Sequence, residues 1–164
     1  YMGLAVAHVL GTIILLDLIR HYITGKRGFP RYLLVVGGVA ALAPDLDIPL
    51  SWLLSFFAQD YVNLHRIFTH SFSFAVVFGV IALVLYLKKE IKWSKIFVAI
   101  AVGWSMHILM DCFYGGFLPM TWPFNFITSC PSWGLVDHSH SIDAILLVVW
   151  IVHEEIHNKI KDYI

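Results

Sequence analysis

His65-Arg66-Ile67-Phe68-Thr69-His70-Ser71 runs directly into Phe72-Ser73-Phe74-Ala75-Val76-Val77-Phe78-Gly79-Val80-Ile81-Ala82-Leu83-Val84-Leu85-Tyr86-Leu87. The first seven residues carry two imidazoles, a guanidinium and two hydroxyls, and the sixteen that follow carry no charge. A run of that composition predicts a membrane helix with its polar chemistry gathered at one mouth. Three other segments place Asp or His where the same depth is expected, so the fold and the site are read together.

The composition supports this class. Hydrophobic residues make up 59% of the 164, charged residues 13%, and the mean hydropathy is +0.78; charged residues approach a quarter of an ordinary soluble domain. The expectation is an all-α integral membrane bundle of about five helices, one or two of them short or broken, forming a single domain over residues 1–164. The lipid bilayer is the first partner, and nothing calls for nucleic acid. Cys112 and Cys130 stand 18 apart without a C-x-x-C pattern, which excludes a structural zinc knot. Two buried free cysteines are expected, with pairing reserved for a segment that faces an oxidising compartment. Tyr1-Met2-Gly3 lacks the charged region and cleavage site of a signal peptide, so the first apolar run is expected to be a retained helix.

Met2 to Ile19 is apolar apart from His8, Thr12 and Asp17, and its length of about 27 Å covers a bilayer core. A basic loop with Gly25, Gly28 and Pro30 follows. Tyr32 to Ala43 spans only about 18 Å before Pro44-Asp45-Leu46-Asp47 breaks it, so this segment is expected to reach part-way. Trp52 to Phe57 reads as interfacial or packed on the bundle, and Gln59, Asp60 and Asn63 as an aqueous turn into His65. After the helix from Phe72, Ile96 to Met110 returns with His107 and Asp111 at its far end. Phe113 to Asp137, rich in aromatics, Gly and Pro, reads as a loop or broken half-helices near the headgroups. His138 and His140 then lead into a short last helix, Ile142 to Val152.

Ten of the eleven Lys and Arg residues fall at one set of helix ends; Arg66 is the exception. By the positive-inside rule those ends are cytoplasmic. With five crossings and the amino terminus outside, His8, Asp45, Asp47, His65, His70, His107, Asp111, His138, His140 and Asp143 face the extracytoplasmic side of a multi-pass cell (inner) membrane protein. Carboxylates inside a membrane segment cost several kcal/mol unless paired, solvated or bound to a cation. His107 and Asp111, four apart, share a helix face; His65 and His70 share a site only if His65 lies in the turn before the helix. Imidazoles together with carboxylates suit Zn²⁺, with Mn²⁺ as the other fit, as one or two ions. Haem would leave the carboxylates unexplained. A two-metal site generates hydroxide at neutral pH, and Arg66 is the natural anion clamp.

The order His8 in Ala-His-Val-Leu-Gly, Ala43-Pro44-Asp45-Leu46-Asp47, His65-Arg66-x-x-Thr69-His70-Ser71, His107-x-x-x-Asp111 and Pro119-Met120-Thr121-Trp122-Pro123-Phe124 resembles the YdjM-like membrane-bound metal-dependent hydrolases, over about residues 3 to 126. The resemblance implies a helical membrane hydrolase with a distant likeness to zinc-dependent phospholipase C. By position, His8, Asp45, Asp47, His65, His70, His107 and Asp111 become the metal-site candidates, and His138, His140 and Asp143 possible additions.

The expected activity is cleavage of a phosphoester or ester bond in a lipid-like substrate by metal-bound hydroxide. Asp47 or Asp45 would bridge metals or act as base, and Arg66 would hold the anionic group. The alternative is a non-catalytic metal-binding protein, a transporter or sensor, and a third is a scaffold glued by its polar cluster. His153-Glu154-Glu155-Ile156-His157 matches a zincin helix motif, but it falls at the Lys-rich end, where a solvated face is expected.

Overall fold

The computed structural model describes residues 4–58, 60–114, 117–118, 121–124, 128–129 and 138–158. Among them the α-helices are α1 (Leu4–Ile19), α2 (Tyr32–Ala40), α3 (Asp47–Ala58), α4 (Phe72–Leu87), α5 (Ile91–Tyr114) and α6 (Ser139–Asn158). A π-helical turn, Arg20–Thr24, extends α1, and a 3₁₀ turn, Ala43–Leu46, joins α2 to α3. The only pairing of strands among the described residues is an antiparallel one, Phe117–Leu118 with Thr128–Ser129.

The long axis of the bundle is α5, whose 24 residues reach about 36 Å and which packs against α1, α2 and α4. Gly103 makes the contact with α2 possible, because a Cβ there would collide with the carbonyl oxygen of Gly37. Small residues at crossings let helix backbones approach in this way. On one side of the crossing Leu16, Leu33, Leu34 and Ala99 form a buried cluster; on the other Trp104, Ile108 and Ala75 form a second. The outer faces invert the pattern of a soluble protein: along α4, Val76, Val80, Leu83 and Leu87 are exposed by 63, 53, 56 and 72%. A contiguous apolar exterior of this kind fits lipid, not water.

Residues 5–24 and α5 are each long and apolar enough to cross a membrane, and α2 with the segment 43–58 makes a third span if the bent pair counts as one. The 46° bend falls between Ala40 and Ala43, just ahead of Pro44, whose ring has no N–H to continue the ladder. Pro49 lies in the first turn of α3, where a missing N–H costs little.

Several helix boundaries differ from expectation, among them the start of α5, which lies at Ile91 and not Ile96. The last helix is not short: it begins at Ser139 and continues through Glu154 and Glu155 to Asn158. Its later polar residues share the helix with an apolar face, and so do not end it. The helix bearing His107 is likewise longer, running past Asp111 through Tyr114, which takes Phe113 and Tyr114 out of the expected loop. Cys112 is disulfide-bonded, not free as expected; Cys130 lies outside the described residues. So do Gln59, Pro119, Met120, Phe126, Pro131, Trp133 and the side chain of His140.

Candidate metal centre

Alternating chain direction explains how distant residues meet. α1 and α4 begin at one end of the bundle, and α2 and α5 finish there, so His8, Asp45, Asp47, His70, His107 and Asp111 converge on a single rim. Ser71 fixes the start of α4: its hydroxyl accepts the Ser73 N–H at 3.2 Å, and its extended backbone stops the helix from running back into the motif. His65 therefore lies in the turn ahead of the helix, as the spacing required. Ser51 and Ser55 of α3 hold that turn by accepting the N–H groups of Leu64 and Val62, each at 2.9 Å. Trp104 of α5 holds its other end, donating its indole N–H to the Thr69 carbonyl at 3.0 Å.

The hydrogen bonds determine which ring nitrogens carry protons. His107 Nδ1 lies 2.7 Å from the carbonyl oxygen of Ala41, which can only accept, so Nδ1 is the donor. That carbonyl is open because the Asp45 N–H, which would reach it in a continuous helix, turns to Leu42 instead. At His70, Thr69 gives its hydroxyl proton to Asp47 Oδ2 at 2.5 Å, so the hydroxyl oxygen accepts from His70 Nδ1 at 3.1 Å. Neutral rings held in this way direct their lone pairs through Nε2. The two Nε2 atoms stand 3.2 Å apart, and Asp45 Oδ1 lies 3.4 Å from one and 3.5 Å from the other. Asp111 Oδ2 adds contacts of 3.4 and 3.8 Å to the same nitrogens.

Facing lone pairs with two carboxylate oxygens against them repel unless a cation lies between. A proton is one answer. Burial lowers the pKa of His70, but hydrogen bonds to Asp45 and Asp47 and the charge of Asp111 outweigh it, and the net shift is upward. A metal ion is the other. Ligands about 2.0–2.1 Å from a tetrahedral zinc stand about 3.3 Å apart, close to the edges seen here. The charges fit as well: three carboxylates, Asp45, Asp47 and Asp111, face one guanidinium, that of Arg66, which leaves room for a divalent cation.

The remaining residues of the rim steady this set. His8 Nε2 contacts Asp111 Oδ1 at 3.2 Å, and Arg66 Nη2 donates to Asp111 Oδ2 at 3.2 Å. His65 Nδ1 lies 3.0 Å from Asp47 Oδ1, while the Arg66 backbone N–H donates to Asp47 Oδ2 at 3.1 Å. The seven residues expected from the sequence to hold metal, and Arg66 with them, thus meet at one rim. Arg66 has φ of 62°, a left-handed conformation costly for a residue with a Cβ. Thr69, the Ala41 carbonyl and Trp104 went unrecognised; a Thr directly before a His was the available signal for the first.

The sequence profile of the YdjM inner membrane protein family matches residues 2–159. The chain belongs to that family. No curated protein and no solved structure matches it. The YdjM match runs past residue 126 and takes in α6 as well as the rim. It makes the chain a membrane protein, in keeping with the two or three spans.

A second polar cluster, at the other end of α1, has a different character. Asp17 Oδ1 accepts from Arg20 Nη1 at 2.9 Å and Asp17 Oδ2 from His153 Nε2 at 2.6 Å; His21 Nδ1 donates to the Asp17 carbonyl at 3.0 Å. Here the nitrogens facing the carboxylate are donors, and 2.6 Å is a hydrogen bond, shorter than the spacing of two ligands on one ion. His153 thereby joins α6 to α1, a use for the apparent zincin motif that needs no zinc; the His157 side chain lies outside the described residues. Arg20, read from sequence as an end marker, is buried in this cluster. His138 is exposed, and neither it nor Asp143 joins a possible metal-binding group among the described residues.

Proposed function

We propose that the chain is a membrane-bound metal-dependent hydrolase that cleaves a phosphoester or ester bond of a lipid-like substrate at the extracytoplasmic face. The observation that carries the reading is the pair of imidazole Nε2 atoms 3.2 Å apart, each with its Nδ1 committed elsewhere. His70, His107 and Asp45 would hold one divalent ion, zinc or manganese, with Asp111 completing the set. A bound ion supplies Lewis acidity and lowers the pKa of a water.

The chain's own residues account for the rest. His8 fixes Asp111. Asp47, with no exposed side-chain surface, holds the Nδ1–H of His65, whose ring is one-third exposed and keeps Nε2 to take or return a proton. That arrangement is the carboxylate–imidazole pairing used widely in acid–base catalysis. Arg66 is the anion-binding group. Phe68, Phe74, Trp104 and Trp122 stack beside the motif, and Trp122 is 41% exposed, which supports a substrate with an apolar body. Location of the site outside the cytoplasm is supported by the Lys and Arg asymmetry and by the disulfide at Cys112, beside Asp111.

Transport is disfavoured by the geometry of α1. Asp17 follows His8 by nine residues, about half a turn out of phase, so the two polar clusters lie on opposite faces and do not line one path. The test is metal content and hydrolysis of bis(p-nitrophenyl) phosphate by purified wild type, His70→Ala and Asp111→Ala. Joint loss of metal and hydrolysis in the variants is the expected outcome. Metal binding by a wild type that hydrolyses no phosphodiester or carboxylester would sink the enzymatic part.

A further inference from the structure

Arg66 and the metal compete for one oxygen. Asp111 Oδ2 lies 3.2 Å from Arg66 Nη2 and 3.4 Å from His70 Nε2, so a cation held by the imidazoles would share this carboxylate oxygen with the guanidinium. Two positive charges that close together, at a site buried on the Asp111 side, repel strongly. The Arg66 backbone is fixed where it stands: its N–H donates to Asp47, and its left-handed φ gives the side chain its direction. Its guanidinium is held less fully. The side chain is one-third exposed, and Nε is buried with no hydrogen-bond partner among the described residues.

We propose that Arg66 is the counter-cation of the metal-free site, and that metal binding displaces its guanidinium from Asp111 and frees it to bind the anionic group of the substrate. The inference rests on the metal-site reading above. It adds an order of events: the ion enters first, and Arg66 becomes a strong phosphate ligand only afterwards. Both effects follow from one charge. Without the ion, Asp111 neutralises Arg66 and weakens it as an anion site; with the ion, Asp111 is engaged and the guanidinium faces the mouth. Metal and anion are then positively coupled, and by linkage each strengthens the other by the same factor.

The experiment is zinc titration calorimetry on the detergent-purified chain, with and without dimethyl phosphate, for wild type, Arg66→Gln and Arg66→Lys. Gln retains hydrogen-bond donors and removes the charge, so a folded variant is available even if a smaller residue is not tolerated. Arg66→Gln is expected to bind zinc about tenfold more tightly than wild type. Dimethyl phosphate should tighten zinc binding about tenfold in wild type, less in Arg66→Lys and not in Arg66→Gln. Equal or weaker zinc binding by Arg66→Gln overturns the proposal and leaves the metal site standing, as does an anion effect that survives in that variant. Absence of zinc binding from all three proteins overturns the metal reading itself, and the proposal with it.

Discussion

His70 divides its ring between a fixed contact and an available one, and the division sets a pH dependence that can be measured. Its pKa in the folded, metal-free chain is raised above the ordinary 6.5, because Asp45, Asp47 and Asp111 outweigh burial. A raised folded pKa stabilises the protein fully below about 6.5 and ceases to do so as pH rises through the higher folded value. With metal on Nε2 the folded state keeps no proton there, and the sign reverses. Measured against His70→Gln, the metal-free wild type should therefore lose melting temperature as pH is raised from 6 to 8.5, while the zinc-loaded protein gains stability as pH rises through 6.5. Scanning calorimetry in both states checks this, and parallel slopes would contradict the assignment of Nε2. At this scale the sequence was informative about residue types and silent about tautomers. His70 and His107 were visible as candidates, but the Ala41 carbonyl that orients one of them bears no side-chain signature.

At the scale of elements, the α2–α5 crossing places the site, since it brings the Ala41 carbonyl to His107, one turn beyond Gly103. Gly103→Ala would drive a Cβ into the Gly37 carbonyl. The variant should lose about 1–3 kcal/mol of stability and much of the affinity for zinc that the proposed site would have, because separating the helices withdraws the hydrogen bond that fixes His107. Thermal unfolding and metal content measured on the same preparation test it; wild-type values for both would show that the crossing does not govern the site. Periodicity read this part of the fold well. Pro44 announced the bend, and the need for His65 to precede the helix matched the Ser71 cap. The polar tail of the last helix was misjudged because Glu154 and Glu155 end an apolar run without ending a helix. Burial of Arg20 was not legible either: a charge at a helix end reads the same whether it meets water or an Asp one turn back.

For the whole molecule, the arrangement is a bundle whose basic loops and metal-ligand candidates lie at opposite ends. Single cysteines introduced at Asp60 and Lys92, with Cys112 and Cys130 replaced by Ser, should react differently with a membrane-impermeant maleimide. Asp60→Cys should label in intact spheroplasts, and Lys92→Cys only after permeabilisation; the reverse pattern would turn the site toward the cytoplasm. The sorting of Lys and Arg is what supports this orientation, whereas residues such as His138 and Asp143, expected at the same depth, do not join the cluster among the described residues. One consequence follows from α1, which carries charge near both ends but on faces half a turn apart, with Leu16 buried between. Between them the only polar side chain that α1 offers is the buried hydroxyl of Thr12, so this helix alone gives protons at the rim no continuous chain toward Asp17. If the rim does the acid–base work proposed for it, protons exchanged there would not run down the gradient across the membrane by way of this helix.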